Sequence, residues 1–356
     1  MNVIKAMDLQ LLEQHLPSMP WFVHKYIDHK LPDLSPSTLL EYVRDFQLFF
    51  SWMIEESLSP ARLPKDLTLE HLELLYVENI DAFKTFLKVK KNNTATTRER
   101  KIASLKSLFY YMSQIAEDEF HYPLLKRNVM AKIETKRMSR PELTAARLQG
   151  KLLDNEKEIK QFLLFVQHGY HQSIQKNKQA LFYYRQNAVR DAAIISLILS
   201  SGLRVSEVVN LNVEDIDMNQ KLAFVYRKGS LDETSQQGVY FAEMGKTNMN
   251  QYLQVRDEMY KPIKKEKALF LTIPRGQNEG KRMTRRAIQE MVQKYAAAFG
   301  KPHLTVHKLR HSFATNYYLK NDIYKTQKQL GHQSTDTTQL YAQLTDKTMA
   351  KAINKL

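Results

Sequence analysis

A long amphipathic helix near the start of the chain is the feature that most constrains the fold. Ser35 is a suitable N-cap residue, and Pro36 suits the first helical position. The apolar residues that follow recur at the spacing of one helical face: Leu39, Tyr42, Val43, Phe46, Phe49, Phe50, Met53 and Ile54. A face this broad must be covered by other apolar elements, so the first part of the chain is predicted to be a helical domain.

Further helices are predicted on both sides of this one. One begins at Trp21 and ends before Pro32, a second covers about residues 70–90, and a third begins after Asn93. The inward face of the third helix carries large apolar side chains, namely Ile102, Leu105, Leu108, Phe109 and Met112. Its other edge is polar and basic, and consists of Thr94, Thr97, Arg98, Lys101 and Ser104.

The net charge of the chain indicates a polyanionic partner. Lys and Arg number 53 against 38 Asp and Glu, which gives a formal net charge of +15. Nucleic acid is the commonest such partner, and an anionic membrane surface is the alternative. The sequence has neither an apolar run of about 18 residues nor a signal peptide. We therefore predict a cytoplasmic protein that binds DNA and has no membrane partner.

The polar edge of the helix after Asn93 can then be interpreted in two ways. Most basic helix faces are simply solvated. Hydroxyl and basic groups at a helix N-terminus also contact phosphates well, because free backbone amides and the helix dipole add to the side chains. Given the net charge, we predict that Thr94, Thr97, Arg98 and Lys101 bind DNA.

At 356 residues the chain is long for one core, and two domains are expected. Residues 1–18 are predicted to be a lead segment and residues 19–121 the helical domain. Residues 122–158 have scattered apolar positions and several basic ones, which is typical of a linker. Residues 159–356 then form the second domain.

The second domain is predicted to be mostly helical with one hairpin. The apolar run NAVRDAAIISLILS reads as a core helix, Gly202 interrupts the pattern, and Arg204 opens a short helix. The segments KLAFVYRK and GVYFAEM are rich in β-branched and aromatic residues and should pair. The stretch HQSIQKNKQALFYYRQ is compatible with a loop or a helix. A second predicted DNA contact site lies at a helix start and comprises Thr284, Arg285 and Arg286.

The stretch from 304 to 344 concentrates the residues that could perform chemistry. It contains His307, Arg310, His311, His332 and Tyr341, while the whole chain has no cysteine, which excludes disulfides, thiol catalysis and cysteine metal sites. With a reference pKa near 10, only about a thousandth of a phenol is ionised at neutral pH. Neighbouring cations would lower that cost and would also bind a phosphate diester. The combination indicates phosphoryl transfer to tyrosine.

Three motifs carry a resemblance to a known family. They are SGLRVSEVVNL around Arg204, HKLRHSFAT from His307, and LGHQSTDTTQLYAQL, which ends at Leu344. In this order and spacing the chain resembles the tyrosine recombinases of the phage-integrase superfamily, and among them the Xer type, in particular its single-recombinase XerS form. The resemblance implies a mainly α fold with a small β-sheet. It also implies a two-domain DNA clamp, with a helical, SAM-like core-binding domain and a catalytic tyrosine recombinase domain with a C-terminal tail from about 346.

The resemblance also implies roles for individual residues. Tyr341 would attack the scissile phosphate and leave a 3′-phosphotyrosyl bond with a free 5′-hydroxyl. Arg204 and Arg310 would hold the non-bridging oxygens, and His332 would donate a hydrogen bond to the same phosphate. His307 would assist proton transfer from the tyrosine. Neither ATP nor a metal nor any other cofactor is implied.

Lys228 would protonate the 5′-oxygen as it leaves. Members of the family usually have a compact Gly-Lys-Gly turn at this hairpin. Here RKGSLDETSQQG places Arg227 before the lysine and adds the acidic residues Asp232 and Glu233. The hairpin that carries Lys228 therefore departs from the family pattern, and the assignment of Lys228 rests on it. The other five catalytic residues lie in motifs that match the pattern.

The implied partners are double-stranded DNA at a dif-like site and three further copies of the chain, in a homotetramer on two sites. The tail would dock into a neighbouring protomer, the FtsK translocase could act with the enzyme, and no small-molecule substrate is implied. The role would be resolution of chromosome dimers. The alternatives are an integrase or transposase of a mobile element, a type IB topoisomerase, and a DNA-binding protein without catalysis.

A metal site is a further alternative for the histidines. His307 and His311 have the spacing of two zinc ligands on one helix face, but Lys308 stands where the zinc proteases have glutamate. Arg310 would also repel a cation. We therefore predict no metal, and we predict that His311 is a buried, hydrogen-bonded residue.

Overall fold

The computed structural model describes residues 3–134, 141–227, 235–274, 280–331, 340–341 and 344. The chain divides into two compact units, Met1–Met138 and Ser139–Leu356. The division falls inside the range 122–158 that the sequence predicts to be a linker. Side chains near both ends of that range are buried, since Leu125 is 1% exposed and Leu153 is 0% exposed. The domain boundaries proposed from the sequence stay a prediction.

The first unit is a helical domain of six described helices. They are α1 (Val3–His15), α2 (Trp21–Lys30), α3 (Pro36–Glu55), α4 (Leu69–Glu73), α5 (Val77–Val89) and α6 (Ala95–Gln114). Single turns of 3₁₀ helix cover Leu16–Ser18, Pro64–Asp66 and Val129–Lys132. The single helix expected over about 70–90 is in fact two helices. The backbone amide of Tyr76 donates to Asn79 Oδ1 over 2.8 Å, and this hydrogen bond marks the N-terminus of a separate helix, α5.

The predicted apolar face of α3 lies in the core of this unit. Six of its members are buried, namely Leu39, Val43, Phe46, Phe49, Phe50 and Met53, and the flanking Tyr42 and Ile54 are half-buried. Aromatic rings from α2 and α5 cover this face, with Phe22 against Phe50 and Phe83 against Phe49 at centroid distances of 6.0 and 5.0 Å. The long helix therefore organises the core of the first unit, as its periodicity predicts.

The second unit contains nine described helices. They are α7 (Pro141–Leu148), α8 (Glu156–Leu164), α9 (Tyr170–Ser173), α10 (Lys178–Ser201), α11 (Val205–Asn210), α12 (Glu243–Tyr260), α13 (Arg285–Ala298), α14 (Val306–Tyr318) and α15 (Ile323–Leu330). A π-helical turn covers Phe165–Gly169 and a 3₁₀ turn covers Val213–Asp215. The stretch HQSIQKNKQALFYYRQ, which by sequence is compatible with a loop or a helix, is mostly helix. Asn177 caps a new helix within it by accepting from the amide of Ala180 over 2.9 Å.

Helix α10 lies at the centre of the second unit and packs against α12 and α14. Its residues from 191 to 201 are all buried, which fits the apolar run in the sequence. Gly202 ends the helix in the left-handed region, at φ 72°. A Cβ atom at this position would lie 2.5 Å from the ring of Phe313, so the turn needs glycine for space as well as for conformation. This turn brings Arg204 next to α14.

The sheet is a three-stranded antiparallel one, in the order β1 (Ile216–Asp217), β2 (Leu222–Val225) and β3 (Gln237–Tyr240). The predicted hairpin is confirmed, with Leu222 opposite Tyr240 and Val225 opposite Gln237. The short β1 was not predicted. Among the helices of the described residues, none is both long and apolar enough to cross a membrane.

Candidate active site

Helix α14 carries three of the candidate residues. Thr305 caps it by accepting from the amide of Lys308 over 3.4 Å. His307 lies in the first turn with an exposed side chain, while Arg310 and His311 are 3% and 9% exposed. One face of this helix thus runs from the solvent into the core of the second unit.

Arg310 joins the ends of two other helices. Its Nη1 donates to the carbonyl of Gly202 after α10, and its Nη2 donates to the carbonyl of Leu330 at the end of α15 over 2.8 Å. The side chain of Glu207 is 4.0 Å from Nη1. Burial and the charge of Arg204 lower the pKa of Arg310 to about 10, which leaves it protonated at neutral pH.

Arg204 is fixed by a carboxylate three residues later. Glu207 Oε2 accepts from the amide of Arg204 over 2.8 Å, and Oε1 accepts from its Nη1 over 2.9 Å. Arg204 Nη2 also donates to the carbonyl of Gly331 over 3.3 Å. The Arg204 side chain keeps 32% exposure while that of Glu207 has 3%. The buried carboxylate of Glu207 therefore orients the Arg204 guanidinium, which stays accessible to solvent.

Both arginines line a cavity of about 600 Å³. Other residues on its wall include Ser206, Thr305 and His307. The N-terminus of α14 also faces this cavity, and its dipole favours a negative charge there. Two guanidinium groups balanced by the one buried carboxylate of Glu207 leave an excess of positive charge, so the cavity is suited to a phosphate group.

Tyr341 lies in the protein interior beside these groups. Its side chain is 1% exposed and packs with Phe313, Ala314 and Leu330. Its hydroxyl is 3.0 Å from His311 Nδ1. Burial raises the pKa of Tyr341 to about 12, although the charges of Arg310 and Arg204 act in the opposite direction. The phenol is protonated in this arrangement and needs a proton acceptor before it can attack.

The two histidines of α14 are in contact with each other. Their ring centroids are 4.4 Å apart with an interplanar angle of 78°. The prediction that His311 is buried and hydrogen-bonded is confirmed, and its contact with Tyr341 was not foreseen. His307 is exposed at the surface but loses part of its hydration to the surrounding protein, and this, followed by the charges of Arg310 and Arg204, lowers its pKa below the usual value. His307 is therefore neutral at pH 7 and able to accept a proton.

The lowered pKa of His307 predicts how cleavage depends on pH. A base works only when it is unprotonated, so we expect the rate of single-turnover DNA cleavage to hold down to about pH 6.5, the usual imidazole pKa, and to fall below it. The cleavage rate of His307→Asn should be lower than that of the wild type by on the order of 10²-fold at pH 8. Its pH profile should also lack the fall in rate at acidic pH, the acid limb, that the wild type shows. Rapid-quench assays across pH 5–9 give both profiles, and an unchanged acid limb in the variant would contradict the role.

Lys228, His332 and the tail from about 346 lie outside the described residues. Their assigned roles stay predictions. The described part of the chain brings Arg204, His307, Arg310 and Tyr341 together in one place. It adds two residues that the sequence did not assign to the site, Glu207 and Arg227, and it places His311, which was predicted to be structural, against Tyr341. Of the two added residues, only Glu207 has a local signal, as a carboxylate one helical turn after Arg204.

The first predicted DNA contact site lies at the start of α6. Thr94 is exposed and caps the helix by accepting from the amide of Thr97 over 3.2 Å. Arg98 Nη1 donates to the carbonyl of Asn93 over 2.8 Å. Lys101 Nζ lies 2.7 Å from Asp45 Oδ1, so its charge is already paired with a carboxylate.

Ser104 does not belong to this polar edge, contrary to the expectation. It is fully buried and donates to Asp45 Oδ2 over 3.0 Å. Asp45 is itself only 2% exposed. A buried carboxylate needs hydrogen-bond donors, and the Ser104 hydroxyl is one of them. Whether Thr94, Thr97, Arg98 and Lys101 bind DNA stays a prediction.

The second predicted DNA contact site lies at the start of α13. Thr284 caps this helix by accepting from the amide of Ala287 over 3.1 Å. Arg285 is exposed, and Arg286 has 86% side-chain exposure and pairs with Glu290 over 2.7 Å. Exposed basic groups beside a helix N-terminus suit backbone phosphates, and the assignment stays a prediction.

No three histidine, aspartate or glutamate side chains within the described ranges are placed to hold a metal ion. For His307 and His311, the groups nearby are Arg310 and Tyr341. Neither adds a carboxylate to the pair.

Comparisons with known proteins identify relatives of this chain. Residues 156–348 match the family model described as the phage integrase family. Tyrosine recombinase XerS of Streptococcus equi subsp. zooepidemicus is 36% identical over 365 residues, which cover 98% of this chain and 98% of the relative. Tyrosine recombinase XerS of Lactococcus lactis subsp. cremoris is 33% identical over 360 residues, with 98% of each chain covered.

Solved structures agree on the fold. The XerH site-specific recombinase bound to difH substrate, in a pre-cleavage complex, matches with a TM-score of 0.59 and 19% identity, covering 94% of this chain and 92% of that one. The Tn1549 transposon integrase in complex with a circular intermediate DNA matches with a TM-score of 0.59 and 18% identity, covering 90% and 93%. The mainly α fold with a small β-sheet is therefore confirmed. From the family match and the full-length relatives together, the chain belongs to the phage integrase family and is a tyrosine recombinase of the Xer type.

Proposed function

We propose that this chain is a site-specific recombinase that cuts and rejoins double-stranded DNA through a 3′-phosphotyrosyl intermediate. The observation that carries the proposal is a cavity lined by two oriented arginines, Arg204 and Arg310, whose charges also act on the buried hydroxyl of Tyr341. A phosphate diester in this cavity would meet Arg204 and Arg310 at its non-bridging oxygens. These contacts strengthen as charge builds up on the phosphorus centre, which lowers the barrier.

The chemical step balances within the residues proposed. The oxygen of Tyr341 forms a bond to phosphorus, and the bond from phosphorus to the 5′-oxygen breaks. The phenolic proton passes to His307, directly or through the His311 ring that contacts both groups. Lys228 supplies a proton to the leaving 5′-oxygen, and His332 donates a hydrogen bond to the phosphate. The phosphotyrosyl bond conserves the energy of the diester, so rejoining needs no ATP.

We further propose that the enzyme acts in the cytoplasm on a dif-like chromosomal site and resolves chromosome dimers. The relatives that span nearly the whole chain are XerS recombinases, and the XerH recombinase was crystallised on a difH substrate. By likeness to this family, four protomers would assemble on two sites, each clamping the duplex between its two domains. The tail from about 346 would couple neighbouring protomers, and the FtsK translocase would be a partner.

A two-site plasmid assay tests this role. We expect the wild type to resolve a supercoiled plasmid with two directly repeated dif-like sites from the chromosome that encodes the chain, and Tyr341→Phe to yield no product. The gel distinguishes the other functions. Relaxation of supercoils without exchange would indicate a topoisomerase. Exchange only at the ends of a mobile element would indicate an integrase, and binding without cleavage a protein that has no catalytic function.

A further inference from the structure

Arg227 is a buried arginine that the proposed mechanism does not use. It follows β2, at the position where the family usually has the first glycine of the hairpin turn. Its side chain is 6% exposed. Nη2 donates to the carbonyl of Gln329 over 2.6 Å, and Nη1 donates to the carbonyl of Lys328 over 3.3 Å. Arg227 thus connects the end of β2 to the last turn of α15.

The last turn of α15 is a favourable place for a cation. The final carbonyls of a helix have no partner within it, and the helix dipole places negative charge there. Gly331 follows with φ 61°, and a Cβ atom on it would lie 1.8 Å from Arg227 Nη1. The guanidinium therefore packs directly on the backbone of Gly331, and this contact leaves no space for a side chain at residue 331.

Two other arginines bind the same turn. Arg310 donates to the carbonyl of Leu330 and Arg204 to the carbonyl of Gly331. Four consecutive carbonyls, from Lys328 to Gly331, are thus held by three guanidinium groups. Arg204 and Arg310 are the two that line the cavity, whereas Arg227 is absent from its wall. A shift of this turn would move both cavity arginines together.

Burial of Arg227 leaves one of its nitrogen atoms without a hydrogen-bond partner among the described residues. Within the described part of the chain its Nε is buried without a hydrogen-bond partner, and no carboxylate lies within ion-pair distance. Burying a cation without a paired carboxylate normally disfavours folding. A role in holding the turn accounts for an arginine at this position better than a role in stability.

We propose that Arg227 is a positioning residue, which holds the last turn of α15 so that Arg204 and Arg310 are fixed for binding the scissile phosphate. The proposal rests on the proposed recombinase function. It adds a residue that acts on the phosphate-binding arginines without touching the substrate.

Cleavage of two suicide duplexes by Arg227→Met tests the proposal. One duplex has the normal diester, and the other a methylphosphonate at the scissile position, which lacks the negative charge that the arginines neutralise. We expect Arg227→Met to cleave the diester about 100-fold more slowly than the wild type, the loss typical of a small misplacement of catalytic groups. On the methylphosphonate we expect the variant to be within about tenfold of the wild type. Arg227→Lys should recover part of the diester rate, because it can still donate to one carbonyl.

Arg256→Met is the matched control. Arg256 is also 6% exposed and donates to two backbone carbonyls, those of Leu269 and Ala268, over 3.1 and 2.5 Å. It differs from Arg227 in that it also pairs with the exposed carboxylate of Asp257. Thermal unfolding shows whether the two variants lose similar stability. Two results would overturn the proposal. One is equal cleavage of the diester by Arg227→Met and Arg256→Met at the same folded fraction. The other is an Arg227→Met defect of the same size on the diester and on the methylphosphonate. If the wild type itself forms no adduct, the recombinase function fails, and that outcome is distinct from either of these.

Discussion

Cleavage of a suicide duplex is expected to fall by about 10²- to 10³-fold when Arg310 is replaced by alanine, which is the usual loss when one preorganised contact to a developing charge is removed. Arg310 is 3% exposed and donates to the carbonyls of Gly202 and Leu330, so its guanidinium is held before substrate arrives. With its pKa lowered only to about 10, it keeps its charge at neutral pH. DNA binding should change much less, because most affinity comes from other phosphates.

The same substitution also removes the donors of two buried carbonyls. We expect this to lower the free energy of unfolding by about 1–3 kcal/mol, so urea unfolding must accompany the kinetics. Arg310→Lys keeps the charge but cannot bridge both carbonyls, and its rate should lie between those of alanine and the wild type. Arg185 is exposed on α10, and Arg185→Ala serves as the control for loss of one positive charge. A folded Arg310→Ala that cleaves within threefold of the wild type contradicts the role.

The helices of the first unit were predictable because their signals are local. On α3, the N-cap position of Ser35, the proline after it and the spacing of the buried side chains lie within one element, although the Ser35 side chain makes no capping hydrogen bond to a backbone amide. The break between α4 and α5 was missed because it contains neither proline nor glycine. It depends on the bond between Tyr76 and Asn79, a cap that the residue type of Tyr76 does not suggest. Strand β1 has two residues and is too short for a periodic pattern.

The candidate site likewise combines residues that local motifs identify with contacts that no local signal predicts. The motifs placed Arg204, His307, Arg310 and Tyr341 by resemblance, and the structure brings these four together. The contacts around them join distant parts of the chain. His311 and Tyr341 are 30 positions apart, and Arg227 and Gln329 are 102 apart. Tertiary packing decides such pairs, and no periodicity in one sequence encodes them.

Replacement of Tyr341 by phenylalanine has the largest expected effect, a complete loss of the covalent DNA adduct. The substitution removes one oxygen atom, and the ring should still pack among Phe313, Ala314 and Leu330. Stability should change little, because His311 loses one hydrogen bond and the neighbouring contacts remain. DNA affinity should stay within about threefold of the wild type, because the phosphate contacts are made by other residues. Gel shifts and thermal unfolding check both.

The most direct test of tyrosine chemistry is a nicked, dif-like suicide duplex incubated with the wild type and with Tyr341→Phe, in EDTA and without ATP. A denaturing gel shows any covalent protein–DNA product, and peptide mapping identifies the attached residue. We predict an adduct with the wild type alone, attached at Tyr341 through a 3′-phosphate. An adduct of equal yield with Tyr341→Phe, or none with the wild type on several candidate sites that it binds, would contradict the account.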